Sequence, residues 1–349
     1  MNAGKPMVAA LAPMLILAGW VFAAQPNNSI QRLSENLDKV IPPGTEITRV
    51  ASGLKWIEGP VWIPAGKYLL FAEITINSIG KWQPNRDISI FLHPSGFQGT
   101  ASSFHGPEPG SNGMTLDPAG RLTVAGHAQR DVYRVESMNP HAQITILADS
   151  YHGKRLNSPN DLVYSKNGSL YFTDPPYGLQ TQSDNDPLKQ LPFNGVYLFP
   201  NASEIKPGSA PDNSELKLLI KDLPRPNGIA FSPGEKYLYV DSSAPKKVWM
   251  RYPVKPDGTL GKGTVFYNAT ADHASGAPDG MKVDQNGNIF SAGPGGLWIF
   301  SPDGTHLGTI HVEGTVSNCA WGGKDWKTLY ITAAPHIYSI RVNVPGIHP

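Results

Sequence analysis

The chain repeats a unit in which a polar turn, usually carrying a glycine, precedes a run of leucine, β-branched and aromatic residues. Residues 168–174 (GSLYFTD) are one example, and similar runs begin at residues 66, 120, 234, 287 and 327. Each run has the composition of a β-strand that follows a turn. The aligned strand positions are Leu69, Leu122, Leu170, Leu238, Ile289 and Leu329. Units of several strands, repeated roughly every 40 to 70 residues, are typical of propeller blades. The pattern therefore predicts an all-β protein, a six-bladed β-propeller.

A second repeated feature is a short polar side chain placed just before an apolar strand, upstream of each aligned position. These polar residues are Glu58, Asn112, Asn160, Asn227, Asp279 and Asn318. The inner strand of a blade lies beside the central channel of a propeller. If these strands are the inner ones, we expect closure of the ring to bring the polar side chains to one axial cavity.

The N-terminal region has a different pattern from the repeats. Lys5 precedes an apolar run from Met7 to Phe22 and then small residues, as in a secretory signal peptide. The run is short for a membrane span, although an uncleaved anchor is the alternative. We therefore predict a signal peptide over residues 1–24 and a secreted or periplasmic protein.

Apolar residues near helical spacing follow this segment. Ile30, Leu33, Leu37 and Ile41 predict a short amphipathic helix over residues 29–41, which the Pro42-Pro43-Gly44 turn would end. We therefore expect a helix and linker over residues 25–44 and the propeller over residues 45–349.

Composition narrows the classes of partner. The 349 residues carry a formal net charge of +1, which gives no reason to expect nucleic acid or an anionic membrane as partner. Cys319 is the only cysteine, so no disulfide can form within the chain. Free cysteine is usually buried, and we expect Cys319 to be a small core residue rather than a nucleophile.

The repeated polar residues offer oxygen only, from two carboxylates and several amides. Hard divalent cations such as Ca²⁺, Mg²⁺ and Mn²⁺ prefer such ligands, and two carboxylates balance a charge of 2+. Asn-Gly and Asp-Gly pairs are also ordinary turn formers, which is the competing interpretation. Glu58 is the residue that turn formation explains least, because it begins an otherwise apolar strand where an unpaired carboxylate would be costly.

Other catalytic patterns are missing from the sequence. It has no Gly-x-Ser-x-Gly elbow, no Walker loop and no dinucleotide fingerprint. His127 follows a strand and is a candidate for the cavity wall, while His105 lies in a loop; surface or packed histidines are the alternative. The polar segment 180–193 predicts a long loop over one face of the propeller.

The chain resembles the senescence marker protein / gluconolactonase / luciferin-regenerating enzyme family, and most closely its gluconolactonase branch. The resemblance covers residues 46–342 and rests on motifs that are specific in combination. They are Glu58-Gly59-Pro60-Val61-Trp62, Leu156-Asn157-Ser158-Pro159-Asn160-Asp161, Tyr171-Phe172-Thr173-Asp174-Pro175-Pro176-Tyr177-Gly178, Pro226-Asn227-Gly228 and Pro278-Asp279-Gly280-Met281. The family fold is a six-bladed propeller, which agrees with the repeat count.

The resemblance also implies a site. Glu58, Asn227 and Asp279 would bind one divalent metal ion on the axis, and Asn160 would serve the metal and the substrate. The family aspartate that matches Asp279 is the usual proposed general base. Asn112 and His127 lie in stretches similar to gluconolactonases and are candidate substrate-binding residues. Animal members carry an arginine that contacts the sugar two residues before the asparagine, whereas this chain has Ser158.

The predicted function is metal-dependent hydrolysis of a sugar or small lactone to its hydroxy acid. Ca²⁺ is the favoured ion, with Mg²⁺, Mn²⁺ or Zn²⁺ as alternatives, and Asp279 is a ligand and candidate base. Two other functions remain open at this point: a non-catalytic propeller that binds a ligand on its axial face, and an esterase or organophosphate hydrolase that uses the same metal site.

Overall fold

Antiparallel sheets surround a central channel in the computed structural model, which describes residue 1 and residues 28–99, 103–139 and 143–348. In chain order the elements before the first complete blade are β1 (Ser29–Arg32), α1 (Leu37–Val40) and β2 (Ile47–Ala51). Blade one holds β3 (Ile57–Ile63), β4 (Tyr68–Glu73), β5 (Ser78–Trp82) and β6 (Ser89–Leu92). Blade two holds β7 (Met114–Leu116), β8 (Leu122–Gly126), β9 (Asp131–Val135) and β10 (Ile144–Ala148). A hairpin of β11 (Ser150–Tyr151) and β12 (Lys154–Arg155) follows.

The second half of the chain continues in the same way. Blade three holds β13 (Leu162–Tyr164), β14 (Leu170–Asp174), β15 (Gly195–Phe199) and β16 (Lys217–Ile220). Blade four holds β17 (Pro226–Phe231), β18 (Tyr237–Ser242), β19 (Val248–Pro253) and β20 (Thr264–Asn268). Blade five holds β21 (Met281–Val283), β22 (Ile289–Gly293), β23 (Gly296–Phe300) and β24 (His306–His311), and blade six begins with β25 (Thr315–Gly322), β26 (Thr328–Ala334) and β27 (His336–Arg341). Short 3₁₀ turns include Ile74–Ile76, His127–Gln129, Ala202–Glu204, Asn213–Glu215 and Pro233–Glu235.

The ring is closed by the N-terminal part of the chain. β2 pairs with β27 and completes blade six, with Ile47 opposite Ile340. β1 adds a fifth strand to blade five, with Ser29 opposite His311. The first strands of the blades contact one another in sequence around the channel, and β25 contacts β3. The prediction of an all-β, six-bladed propeller is confirmed.

The predicted helix over residues 29–41 is wrong in its first part. Ser29–Arg32 is a strand and only Leu37–Val40 is helical, so the strand belongs to the propeller rather than to a linker. A neighbouring sheet edge offers Ile30 a ladder of hydrogen bonds with Ile310, which outweighs the apolar spacing. The predicted signal peptide lies, apart from Met1, outside the described residues. Across the described ranges, no helix is long and apolar enough to cross a membrane.

The hydrophobic core consists of layers between neighbouring blades. Successive residues of one strand point into different layers: Leu69 and Phe71 pack toward blade six, whereas Leu70 and Ala72 pack toward blade two. The two-residue period of a strand explains why these central strands are apolar throughout. α1 packs into the layer between blades five and six.

Candidate functional site at the axial channel

The repeated polar residues all lie where the inner strands of the blades begin. Glu58, Asn227 and Asn318 lie within β3, β17 and β25, and the other three lie two residues ahead of β7, β13 and β21. The residues other than Asp279 are buried, with exposed fractions between 1% for Asn318 and 5% for Asn112. Asp279 is partly exposed and so retains access to solvent.

The glycines after these residues let neighbouring inner strands approach closely. A Cβ atom at Gly113 would lie 2.5 Å from the carbonyl oxygen of Asn160, and one at Gly59 would lie 2.8 Å from Cα of Gly113. A Cβ atom at Gly228 would press on the carbonyl oxygen of Asp279. The Asn-Gly and Asp-Gly pairs therefore serve strand packing rather than turns.

One carboxylate oxygen of Glu58 is hydrogen-bonded within the protein, and the other has no partner. Its Oε2 accepts hydrogen bonds from the Gly59 amide at 2.7 Å and from Nδ2 of Asn318 at 3.0 Å. Its Oε1 is buried and has no hydrogen-bond donor. Burial, with repulsion from Asp161 as a smaller cause, raises the pKa of Glu58 to about 7 against the opposing hydrogen bonds.

Three further carboxylates share this end of the channel. Oδ1 of Asp241, at the end of β18, accepts the Gly228 amide at 3.1 Å. Burial first, and then repulsion from Asp161 and Glu58, raises the pKa of Asp241 well above its ordinary range. The pKa of Asp279 is raised by burial and by repulsion from Glu58, Asp241 and Asp161. These acidic groups are therefore close enough to oppose one another's ionisation.

Several acceptor oxygens in this cluster lack a donor. The unpaired atoms are Oε1 of Glu58, Oδ2 of Asp161, Oδ1 of Asn227 and Oδ2 of Asp241. An unsatisfied buried polar atom costs about 1–3 kcal/mol, and more when it carries charge. A cation would satisfy such atoms, so the donor set fits a hard metal ion.

The polar cluster differs from a metal site whose ligands are all ionisable side chains. Within residues 28–99, 103–139 and 143–348, no three His, Cys, Asp or Glu side chains are grouped so that they could hold one ion. The predicted ligand set contains two carboxylates, Glu58 and Asp279, and two amides, Asn160 and Asn227. A site of that kind depends on amide ligands as much as on charge.

The motif around Asn160 is held by its own backbone and by Asp174. Asp174 accepts the Asn157 amide at 2.8 Å and the Ser158 amide at 2.7 Å. Ser158 Oγ donates to the Pro175 carbonyl at 2.5 Å and accepts the Gly178 amide at 2.9 Å. Burial raises the pKa of Asp174 to about 7. Ser158 thus links the Asn157–Asp161 motif to the Asp174–Gly178 motif, and both hydrogen bonds of its hydroxyl are used within the protein.

His127 lies behind this motif. It is fully buried, with Nδ1 3.0 Å from the Pro159 carbonyl and Nε2 2.8 Å from Oε2 of Glu108. Both ring nitrogens face acceptors, so the imidazole supports the backbone next to Asn160. The predicted contact of His127 with substrate stays a prediction.

Segment 180–193 connects β14 to β15 without a strand or helix, as expected for a loop. Gln182 donates to Oε1 of Glu108 at 2.9 Å, and Asp184 pairs with Arg225 at 2.6 Å. Arg225 precedes the Pro226-Asn227 pair, so the loop is anchored beside the polar end of the channel.

Three residues near the site were not singled out by the sequence: Asp161, Asp241 and Lys282. Tyr177, which belongs to the motif that ends at Gly178, also lies near the site. Tyr177 shares a 2.6 Å hydrogen bond with Ser243, and its pKa is raised by burial and also by the charge on Asp279. Asp161 had a signal, because it stands where glycine follows the polar residue in four of the other units.

Cys319 is a core residue, as expected. It is fully buried and free, and burial raises the pKa of its thiol to about 12.

The other end of the channel is apolar. A cavity of about 710 Å³ is lined by later residues of the inner strands, including Val61, Leu116, Ile229 and Val283. The polar and apolar ends of the channel are therefore chemically distinct.

The fold and this oxygen-lined cluster define a six-bladed propeller with a polar axial site at one end of its channel. The chain belongs to the SMP-30/Gluconolactonase/LRE-like family, whose model matches residues 56–335. It is 37% identical over 353 aligned positions to a gluconolactonase of Zymomonas mobilis, covering 97% of this chain and 95% of that protein.

Solved structures agree with this assignment. A gluconolactonase of Xanthomonas campestris superposes with a TM-score of 0.72 at 28% identity, covering 90% of this chain and 95% of the other. The fold is also that of a calcium-binding regucalcin of Agrobacterium tumefaciens, with a TM-score of 0.64, 17% identity and coverage of 87% and 96%.

Proposed function

We propose that this protein is a lactonase that hydrolyses a sugar lactone or another small lactone to its hydroxy acid. One observation carries the proposal: buried, unpaired acceptor oxygens, including those of Glu58 and Asn227, line the axial cluster. Such a cluster has no stabilising role unless a cation or a polar ligand satisfies it. The near full-length similarity to a gluconolactonase supports a lactone as the substrate.

The residues present fit one divalent ion, which we propose to be Ca²⁺ because every donor is oxygen. Glu58, Asn160, Asn227 and Asp279 would hold it. A bound divalent ion supplies Lewis-acid polarisation of the lactone carbonyl and stabilises negative charge on its oxygen.

The chain's own side chains then have separate tasks. Asp279 is the partly exposed carboxylate of the cluster and would accept the proton of the attacking water, then return it to the ring oxygen that leaves. Asn112 and Asn160 offer amide groups to orient the lactone. Tyr177, which is close enough to Asp279 for that charge to raise its pKa, would cover part of the site and limit the entry of water.

The test separates lactones from other carboxylic esters. Purified protein would be assayed against a panel of sugar lactones, aliphatic lactones and aryl esters, with metal content measured on the same sample. We expect lactone hydrolysis and about one bound divalent ion per chain. Faster hydrolysis of aryl esters or organophosphates would favour that alternative chemistry. Lactone binding without turnover would favour a non-catalytic propeller.

We also propose that the protein is exported, because of Lys5 and the apolar run that follows. Mass spectrometry of the mature protein from its native host should find an N-terminus near residue 25. An intact Met1 or Asn2 end in that material would contradict export by cleavage.

A further inference from the structure

Lys282 is the basic side chain that reaches into the acidic cluster. It lies on β21, between Met281 and Val283, which pack into the layer between blades four and five. Strand alternation therefore turns Lys282 the opposite way, toward blade six, where its ammonium group meets Asn318. Lys282 also lines the apolar cavity.

The ammonium group of Lys282 has defined partners. Nζ donates to the Met281 carbonyl at 2.9 Å and to Oδ1 of Asn318 at 3.3 Å, and it lies 3.6 Å from Oδ2 of Asp161. The side chain is 26% exposed, whereas that of Asp161 is 2% exposed. The pair is therefore partly shielded from water, and electrostatic effects are stronger there than at the open surface.

These contacts reach Glu58 through Asn318. Oδ1 of the Asn318 side chain accepts hydrogen bonds from Nζ of Lys282 and, at 2.8 Å, from the backbone N–H of Cys319. These two donors fix the orientation of the side-chain amide. Nδ2 must then face Oε2 of Glu58, at 3.0 Å. This directs the unpaired Oε1 of Glu58 away from Asn318.

We propose that Lys282 is a positioning residue for the lactonase reaction: its ammonium locks the Asn318 amide, and through it the Glu58 carboxylate, while it balances the charge of Asp161. This role rests on the proposed function. It does not require Lys282 to touch the substrate.

The charge can be removed and restored in the same protein. Lys282→Cys would be alkylated with 2-bromoethylamine, which rebuilds an ammonium group of nearly the same length, or with iodoacetamide, which leaves a neutral amide. The cavity gives the reagents access, and the native Cys319 is fully buried with its thiol pKa raised. Lys282→Met tests loss of charge with the stem retained.

We expect Lys282→Met and unmodified Lys282→Cys to lower kcat/KM by about 10- to 100-fold, the range that a misplacement of about 1 Å produces. Aminoethylation should recover most of the loss and carbamidomethylation should not. Lys166→Met is the matched control, because Lys166 lines the same cavity with an exposed side chain and should leave kcat/KM unchanged. Equal recovery with either reagent, or wild-type kcat/KM in Lys282→Met, would overturn the proposal.

A crystal structure of Lys282→Met gives a readout independent of activity. With only the Cys319 amide left to hold Oδ1 of Asn318, we expect the amide of Asn318 to turn and its contact with Oε2 of Glu58 to lengthen beyond hydrogen-bond distance. If the contact persists unchanged, the positioning role fails even if the protein is a lactonase. If wild-type protein hydrolyses no lactone, the proposed function fails, and the crystal structure alone decides the role of Lys282.

Discussion

The close contact between inner strands at Gly228 allows a sharp test of how packing determines the site. In Gly228→Ala, the new methyl group would press on the Asp279 carbonyl and lie 2.7 Å from Oδ2 of Asp241. Ordinary carbon–oxygen contacts are longer by close to 1 Å, so one of the two inner strands must move. The movement also threatens the hydrogen bond from the Gly228 amide to Asp241, now 3.1 Å.

The expected magnitude follows from these contacts. Overpacking costs about 1–3 kcal/mol of unfolding free energy, and loss of the amide bond to a buried carboxylate adds about 1–3 kcal/mol. A shift of about 1 Å in Asp279 should lower kcat/KM by up to about 100-fold. Urea unfolding and lactone kinetics measure the two effects separately.

Gly261→Ala is the matched control, because a methyl group there would meet Pro253 at 3.4 Å, an ordinary contact. We expect Gly261→Ala to stay within about 1 kcal/mol of wild type. Equal behaviour of the two variants in both assays would refute the reasoning. A destabilised Gly228→Ala with wild-type kcat/KM would show that strand packing at this point does not determine the chemistry.

Three other predictions can be checked with the same assays. Asp279→Asn should abolish lactone turnover with an unchanged circular dichroism spectrum, and wild-type rates would rule out its assigned roles. Treatment with EDTA should remove both activity and bound metal, and Ca²⁺ should restore them; activity retained in metal-free protein would contradict the proposed ion. Burial raises the pKa of Asp131 from its ordinary 3.8 to about 7, so the folded state favours the protonated acid. Its contribution to stability is full below about pH 4 and is lost as the pH rises through 7. We therefore expect the difference in unfolding free energy, Asp131→Asn minus wild type, to rise by up to about 4 kcal/mol between pH 4 and pH 8 when both are measured in EDTA. A difference that stays constant with pH would contradict the raised pKa of Asp131.

The architecture could be predicted because each blade is a local unit. The turn, the strand and the preceding polar residue recur within a short stretch, so aligning Leu69 with Leu122 and the later copies locates the blades. The polar residues at the inner strands, from Glu58 to Asn318, follow from the same alignment, because strand order within a blade does not vary.

Features that depend on distant partners could not be read in this way. Residues 29–32 have apolar spacing near that of a helix, but the edge of β24 lies almost 280 residues further along the chain and converts them to a strand. Asp241 ends a second strand rather than an inner one, and Lys282 looks like an ordinary exposed position in a short strand. Their places in the cluster depend on side-chain directions that only the closed ring defines.

The pairing of β2 with β27 has a consequence for how the protein forms. Residues 47–51 leave the ribosome early, but their partners are residues 336–341, near the end of synthesis. A nascent chain can therefore assemble individual blades while the ring stays open, and its axial cluster of polar residues is incomplete until the last sheet forms. In the folded protein, the ring would open between β2 and β27 if β2 were released, either by proteolysis of the segment before β2 or by force applied to the N-terminal segment.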